Sequence, residues 1–480
     1  MRPTGSKPSL SGEWPPRSSL EEIESSEVRL EEEREAKKRN DEIDRLIELE
    51  RQELKKRRPQ AKLLLLGQAE AGKSTLLKNF QLLFAPKAFQ AETEAWRAVI
   101  HLNLVRAVNF ILEVFSTPYS TESHSNLNNR SQSSLSNHSA RHVLSDPVRT
   151  LRMRLSPLRQ VEIILHGRIA PESQPHSPVP GSSNSSSDDF NSDLRSSLDV
   201  RLFDTSLRAR AGWKALARLK RPTSTTQDEL QDARQVLDAC RDDIIALWTN
   251  AIVQEELRKR AIILDDSYIY FLDNAVRIAS TRYSPNPEDI LRARVQTIGV
   301  EEHHLVMEDE IHPGHEWIFY DVEGRRGQRA VWASFFDDVN AMIFLSPISN
   351  FDVFLPEDPS VNSMLDSFSL WKQICESKLL TQATFILFLN KMDLLQKKLD
   401  AGIQFSAYVP LYKNQPNDLE GVTLYCKRKF HAVHKHSSPQ PRPLHIHTCT
   451  AIDTAFMGGL LARVKDAIFL TMLRENGALV

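Results

Sequence analysis

Gly67-Gln68-Ala69-Glu70-Ala71-Gly72-Lys73-Ser74-Thr75 is a glycine-bounded loop that ends in Lys-Ser-Thr. Upstream lies Lys62-Leu63-Leu64-Leu65-Leu66, an apolar run of strand length, and downstream Leu76-Leu77-Lys78-Asn79-Phe80 has a helical pattern. Strand, loop and helix in this order make a phosphate-binding P-loop. Backbone N–H groups of such a loop, with the helix N-terminus, turn positive partial charge toward phosphate oxygens. Lys73 is placed to reach the β- and γ-phosphates, and the Ser74 hydroxyl is a candidate Mg²⁺ ligand. A chance Gly-x₄-Gly-Lys-Ser match in a surface loop would lack both the strand before it and the helix after it.

A second motif bears on the base. Phe385-Ile386-Leu387-Phe388-Leu389 has a buried-strand pattern, and Asn390-Lys391-Met392-Asp393 follows it. A carboxylate at Asp393 accepts hydrogen bonds from guanine N1–H and the exocyclic amine. Adenine lacks that donor pair and would leave the acceptor unpaired. Asn-Lys-x-Asp on its own also fits a capping Asn beside solvated charges. Behind a strand in a P-loop chain, it points to guanine. Between the two motifs, Trp317-Ile318-Phe319-Tyr320 leads into Asp321-Val322-Glu323-Gly324. That spacing sets a carboxylate near a Mg²⁺ shell and a glycine N–H near a γ-phosphate. Asp289 to Gly299 supplies a candidate Arg and Thr for the same place. Cys449-Thr450-Ala451-Ile452-Asp453-Thr454 is a candidate wall for the base.

In this order the motifs resemble the α subunits of heterotrimeric G proteins, over roughly residues 25–115 and 228–480. Leu291-Arg292-Ala293-Arg294-Val295-Gln296-Thr297 is the specific marker, since small Ras-like GTPases lack it. The resemblance implies an α/β fold: a Ras-like P-loop GTPase domain at 59–88 and 290–480, an inserted all-α helical domain at 89–289, and a long N-terminal helix. It implies a GTPase that binds GTP or GDP with Mg²⁺. Arg294 matches an arginine finger supplied in cis, and Glu70 matches its partner. Ser74 and Thr297 match the metal ligands. Gly67, Glu70, Ala71, Gly72, Lys73, Ser74 and Thr75 match the phosphate loop, and Leu291, Arg292 and Ala293 match residues beside it. Asp266 and Ser267 match helical-domain residues that lean over the nucleotide. Asp321 and Gly324 match the γ-phosphate segment, and Asn390, Lys391, Asp393 and Ala451 the base site.

Three departures stand out. The family reads Asp-Val-Gly-Gly-Gln-Arg where this chain has Asp321-Val322-Glu323-Gly324-Arg325-Arg326. Arg325 thus replaces the water-orienting Gln, and Glu323 the first Gly. Ala69 stands where the family has a loop Gly. Trp332 and the flanking apolar pattern keep the register, so Gln328 is not the missing Gln without an insertion. An arginine donates but does not accept. The expected intrinsic hydrolysis is therefore low, and a GTP-binding switch with little or no hydrolysis is the alternative function. A P-loop ATPase or kinase is a third reading, against which Asn390-Lys391-Met392-Asp393 argues.

Composition is that of a globular protein, with 480 residues, 41% hydrophobic and 26% charged,. A net charge of −2 argues against nucleic acid as the main partner,. The four cysteines, Cys240, Cys375, Cys426 and Cys449, lack metal spacing and read as reduced thiols,. No apolar run is long enough to span a bilayer, and there is no secretory signal. Met1-Arg2-Pro3-Thr4 offers no lipidation motif. The expected location is cytoplasmic, peripheral on the inner face of the plasma membrane through partners, with the basic cluster Lys55-Lys56-Arg57-Arg58 as a lipid-facing candidate.

Residues 1–20 are Pro/Ser/Gly-rich and read as disordered. Residues 21–58 read as an amphipathic helix with Ile43, Leu46, Ile47 and Leu54 on one narrow stripe. A stripe so narrow builds no core of its own and suggests a partner. By resemblance, that partner is a βγ dimer, and the C-terminal segment from Ala451 to Val480 meets a G-protein-coupled receptor; the effector stays unnamed. Glu92–Phe115 reads as a long apolar helix. Low-complexity insertions follow near 116–150 and 168–200, and helical patterning returns at Asp228–Leu257 and Ser267–Ser280. His303, His304, His312 and His315 read as strand and turn residues. His431, His434, His436, His445 and His447 read mostly as a solvated loop.

Overall fold

Alternate residues of one apolar run feed two different cores. In β1 (Gln60–Gly67), Leu63 and Leu65 enter one core, and Leu64 and Leu66 enter the other. A strand buried on both faces reads as an unbroken apolar run, as strands of parallel sheets do. The computed structural model describes residues 37–40, 42–45, 60–115, 146–169, 207–209, 224–260, 262, 264–297, 299–308, 314–336, 338–355, 357–413 and 415–475. Five further strands join β1 in one sheet: β2 (Val300–Val306), β3 (Glu316–Val322), β4 (Ala341–Pro347), β5 (Thr384–Asn390) and β6 (Leu444–Thr448). Their order is β6-β5-β4-β1-β3-β2. The pairs β1–β4, β4–β5 and β5–β6 are parallel, whereas β2–β3 is antiparallel. Every residue of β4 and β5 is buried, while edge strand β2 alternates buried and exposed residues over its second half.

Helices cover both faces. α1 (Lys73–Phe84) follows the loop directly, and α2 (Thr93–Val114) is a second, longer helix on the same core. Trp96, Val99, Ile100, Val105, Val108 and Ile111 are fully buried there, as the apolar pattern of 92–115 predicts. α3 (Asp266–Asp273) packs on α2, and α4 (Pro287–Arg292) packs on α1 and α2. α4 is fixed by a capping box in which Asn286 and Asp289 bond reciprocally,. On the other face lie α5 (Ser363–Glu376), α6 (Met392–Asp400) and α7 (Leu419–Ser437). α8 (Thr454–Glu475) returns to the first core through Met457, Leu461 and Val464. None of the helices among the described residues is long and apolar enough to cross a membrane.

The structure corrects several sequence expectations. Asp228–Leu257 is three helices, at Ser224–Ala239, Arg241–Trp248 and Ala251–Lys259, broken where Asn250 caps the third. Helices at Asp146–Arg154 and Leu158–Ile169 trim the expected insertions near 116–150 and 168–200. Their core residues, Val148, Leu155, Leu158, Val161 and Leu165, are sparse enough to be hidden by polar neighbours. A two-stranded parallel ladder pairs Leu207–Ala209 with Val295–Thr297, which no sequence signal announced. The second histidine group is no loop: His431, His434 and His436 lie on α7, and His445 and His447 on β6.

Met1–Gln60 and Ala61–Val480 form separate units. Within the first, residues 37–40 and 42–45 are helical and exposed, Ile43 among them. Leu46, Ile47, Leu54, the cluster at 55–58, residues 1–20, the stretches 116–139 and 173–198, and the tail 477–480 lie outside the described residues.

Trp371 is the keystone of the second core. It is fully buried, contacts Phe344, Phe385 and Phe430, and donates to Phe430 O at 3.0 Å. Trp371→Ala leaves a cavity and removes one hydrogen bond to a helix carbonyl. The expected loss is about 3–5 kcal/mol in urea unfolding, and a loss under 1 kcal/mol would show that α7 collapses onto the gap.

Candidate functional site

The parallel strands β1, β4, β5 and β6 end at one rim, and the motifs meet there, as expected for open α/β sheets,. A cleft of about 440 Å³ opens at that rim, a size suited to a small ligand. Its walls come from six segments: the loop after β1 with the start of α1, residues 265–273, residues 291–294, residues 322–325 at the end of β3, and the loops after β5 and β6.

The loop closes through Asn390. Its amide donates to Ala71 O at 2.9 Å and accepts from Ala451 N at 3.0 Å. The thiol of Cys449 lies 3.5 Å from the same oxygen. Gly72 sits at φ +100°, and a Cβ there would lie 2.4 Å from the Asn390 side chain. Only glycine combines that backbone with that approach. Gly67 and Ala71 do not line the cleft; they contribute backbone, and Ala71 packs in the core. Glu70, Gly72, Lys73, Ser74 and Thr75 do line it. Lys73 Nζ donates to Gly67 O and Gln68 O, at 3.1 and 2.8 Å. Burial lowers its pKa to about 8, against the raising effect of the Asp321 carboxylate.

Ser74 Oγ donates to Asp321 Oδ2 at 2.8 Å. A hydroxyl beside a carboxylate, under a lysine, is a donor set suited to a hard cation next to phosphate. Thr297 ends the short strand Val295–Thr297; its side chain is outside the described part.

Arg294 is held from three sides. Its guanidinium pairs with Glu70 and lies 3.3 Å from Asp265. Its backbone N donates to Asn103 on α2 at 2.7 Å. Burial works against its charge, but the Glu70 and Asp265 carboxylates hold its pKa above the usual guanidinium value. Asp265 is a residue that the sequence reading missed. It caps α3 by accepting from Ser267 N at 2.9 Å, so its signal was an ordinary helix N-cap,. Asp266 and Ser267 also line the cleft, with Asp266 3.8 Å from Lys397. Lys78 was missed as well. Its Nζ donates to Ile290 O and Ala293 O at 2.8 and 2.7 Å and lies over the Trp96 ring, tying α1 to the segment that carries Leu291, Arg292 and Arg294.

The departures form contacts of their own. Glu323 Oε2 accepts from Gly299 N at 3.1 Å, and Arg325 Nε lies 3.8 Å from Glu323 Oε1. Gly324 rests on the phosphate loop, where a Cβ would lie 2.2 Å from Ala69 N. Gln68 Nε2 donates to Asp366 Oδ2 at 2.6 Å, and the same carboxylate grips Arg329 at 2.6 and 3.0 Å. Thus the phosphate loop, the 326–335 segment and α5 share one buried carboxylate. Lys391 (φ +63°), Asp393 and Ala451 also line the cleft.

The family model described as "G-protein alpha subunit" matches residues 37–468. The chain belongs to the G-protein α subunit family. It is 32% identical to a guanine nucleotide-binding protein alpha-4 subunit of Mycosarcoma maydis, over 94% of this chain and 91% of that one. It is 28% identical to an alpha-1 subunit of Neurospora crassa, over 93% and 98%. An alpha-15 subunit of Caenorhabditis elegans is 32% identical over 52% of this chain and 68% of that one. This α subunit is a guanine-nucleotide-binding signal transducer and a GTPase, and GTP and GDP are its ligands. Its family works in general with βγ dimers and receptors.

A pH dependence follows from Lys73. An ammonium there would attract a phosphate, and a phosphate bound beside it would raise its pKa above the value of about 8,. The charge is present below pH 8 and is lost above it. GDP affinity of this α subunit should be level near pH 7 and fall above pH 8, by up to about tenfold per pH unit. A fluorescent-GDP titration from pH 7 to 9 tests this; a level profile to pH 9 would mean that Lys73 stays charged in the free cleft.

Proposed function

We propose that the cleft holds GTP or GDP with Mg²⁺, between a Ras-like domain at 59–88 and 290–480 and an all-α domain inserted at 89–289. One observation carries this reading: the Asn390 amide ties the phosphate loop at Ala71 to the base loop at Ala451, in the cleft where Arg294 is held. In this proposal Lys73 and the loop amides bind the phosphates, and Ser74 and Thr297 ligate Mg²⁺ with Asp321 behind them. The metal would neutralise charge on the phosphates. Lys391 and Asp393 hold the base, with Ala451 against it. Asp266, Ser267, Leu291, Arg292 and Ala293 close the cleft. γ-Phosphate and Mg²⁺ hold the segments around Thr297 and Gly324, and loss of the γ-phosphate releases them.

Asp393→Asn removes the acceptor for two guanine donors. It should weaken GTP binding by two orders of magnitude or more, on the scale of a lost polar contact built for recognition. Nucleotide competition on the unmodified protein checks the base assignment; equal binding of ATP and GTP would sink it.

A slow hydrolysis step is part of the proposal. Attack needs a water held in line, and a neutral amide both accepts from water and donates to phosphate. Arg325 only donates, and its Nε lies 3.8 Å from the Glu323 carboxylate. Ala69 adds a methyl where the family has glycine. Arg294 still answers developing charge. Misplacement costs on the order of 10²-fold, so the rate should fall well below the family's usual rate, on the order of 10⁻² s⁻¹. Arg325→Gln should raise it, and more so with Ala69→Gly, in single-turnover assays. A usual rate in the unmodified protein, with no gain in Arg325→Gln, would rule this out.

The N-terminal helix at 21–58 is proposed to dock on βγ and the C-terminal segment 451–480 on a receptor, leaving the subunit peripheral on the membrane. A protein lacking 1–57 that still bound βγ in a pull-down would refute the first of these assignments.

A further inference from the structure

The chain as a whole is balanced, with 61 Lys and Arg against 63 Asp and Glu. Between Glu420 and Asp453 that balance disappears. No acidic residue occurs there, whereas Lys427, Arg428, Lys429, Lys435 and Arg442 do, with five of the chain's 15 histidines. Two of these groups serve the interior. His434 is buried against Trp371 and Phe385, and Arg442 lies over Phe385 and donates to Leu380 O. Of the others, His447 is half-buried against Phe388, and an exposed set shares one helix face. Leu424, Arg428, His431 and Lys435 are all exposed, and a spacing of four, three and four puts them on one stripe of α7. Toward β6 and α8, burial lowers the pKa of His447 to about 4, helped by the positive charges of His445, Arg463 and Lys427. Among the described residues, no salt bridge engages Lys427, Arg428, Lys429 or Lys435. None of these residues lines the nucleotide cleft.

We propose that this α7–β6 face docks directly on an anionic phospholipid bilayer. Like charges crowded on one side repel unless an anion answers them, and among the described residues no carboxylate lies within salt-bridge distance of Lys427, Arg428, Lys429 or Lys435. The surface suits an extended array of anions better than a single small one, because none of these residues lines either main cavity. Leu424, 43% exposed, precedes the cationic stretch, with the exposed Glu420 one turn before it, and exposed Pro439 and Pro441 follow. A cationic stripe with apolar flanks is the pattern of helices that lie in a membrane interface. Each Lys or Arg near such a surface multiplies binding by roughly fivefold. Four of them give a contact of several hundredfold at most, enough for reversible docking. This contact needs neither βγ nor a receptor, and it does not rest on the nucleotide assignments.

The test is co-sedimentation of the full-length protein with phosphatidylcholine vesicles, with or without phosphatidylserine. Binding should require phosphatidylserine and vanish at high salt. Arg428→Glu with Lys435→Glu should weaken it by at least roughly 25-fold, with GDP binding unchanged. Arg428→Gln with Lys435→Gln, a milder pair, should give a smaller loss. Lys55→Glu with Lys56→Glu should retain most binding. Equal partition onto neutral vesicles, no binding to either, or a loss confined to the Lys55/Lys56 variant would overturn the proposal. So would undiminished vesicle binding by both α7 variants, or retention of the α7 face by an acidic protein without any vesicle binding.

Discussion

A single buried side-chain amide organises the cleft. Asn390 ends β5, spends its N–H on the loop after β1 and receives an N–H from the loop after β6. Buried amides left unpaired are costly, so these loops are fixed relative to one another to within hydrogen-bond tolerance. Gly72 belongs to the same constraint, because the space for its Cβ is taken by that amide. From α1, Asn79 reaches Ala451 O at 2.7 Å and fastens the base loop a second time. Phosphate loop and base loop are thus parts of one hydrogen-bonded unit.

A second network is centred on one buried carboxylate. Gln68, Asp366 and Arg329 join the phosphate loop to α5 and to the segment after Gly324. Glu323 joins that same segment to Gly299. Substitutions that look like defects in a motif are therefore integrated into packing. Arg325 has a carboxylate beside it, and Gln68 is nearly fully buried with its amide satisfied on both sides.

Much of this was legible in the sequence because it depends on local pattern. Unbroken apolar runs foretold β1, β3 and β5, and the motif residues at their ends foretold the cleft. What was not legible depends on tertiary placement. Asp265 differs from Asp266 only in which carboxylate the turn of α3 aims at Arg294. Lys78 looks like an ordinary helix lysine until the carbonyls of Ile290 and Ala293 arrive from two hundred residues away. The α7 and β6 histidines look like a polar loop because burial of His434 and Phe430, which makes α7 a helix of the core, is invisible without Trp371.

The thiols give this molecule a built-in chemical clock. All four cysteines are buried, and burial pushes Cys375, Cys426 and Cys449 up to about 12, far from the thiolate that alkylating reagents require,. Cys449 differs in location: it belongs to the first core and lies 3.5 Å from Asn390 beside the cleft, whereas Cys375 and Cys426 sit in the second core. A reagent can therefore reach Cys449 when the base loop lifts, while the other two respond only when the core itself opens. The order in which the thiols become modified distinguishes a breathing cleft from a melting fold, and the protein records the difference covalently.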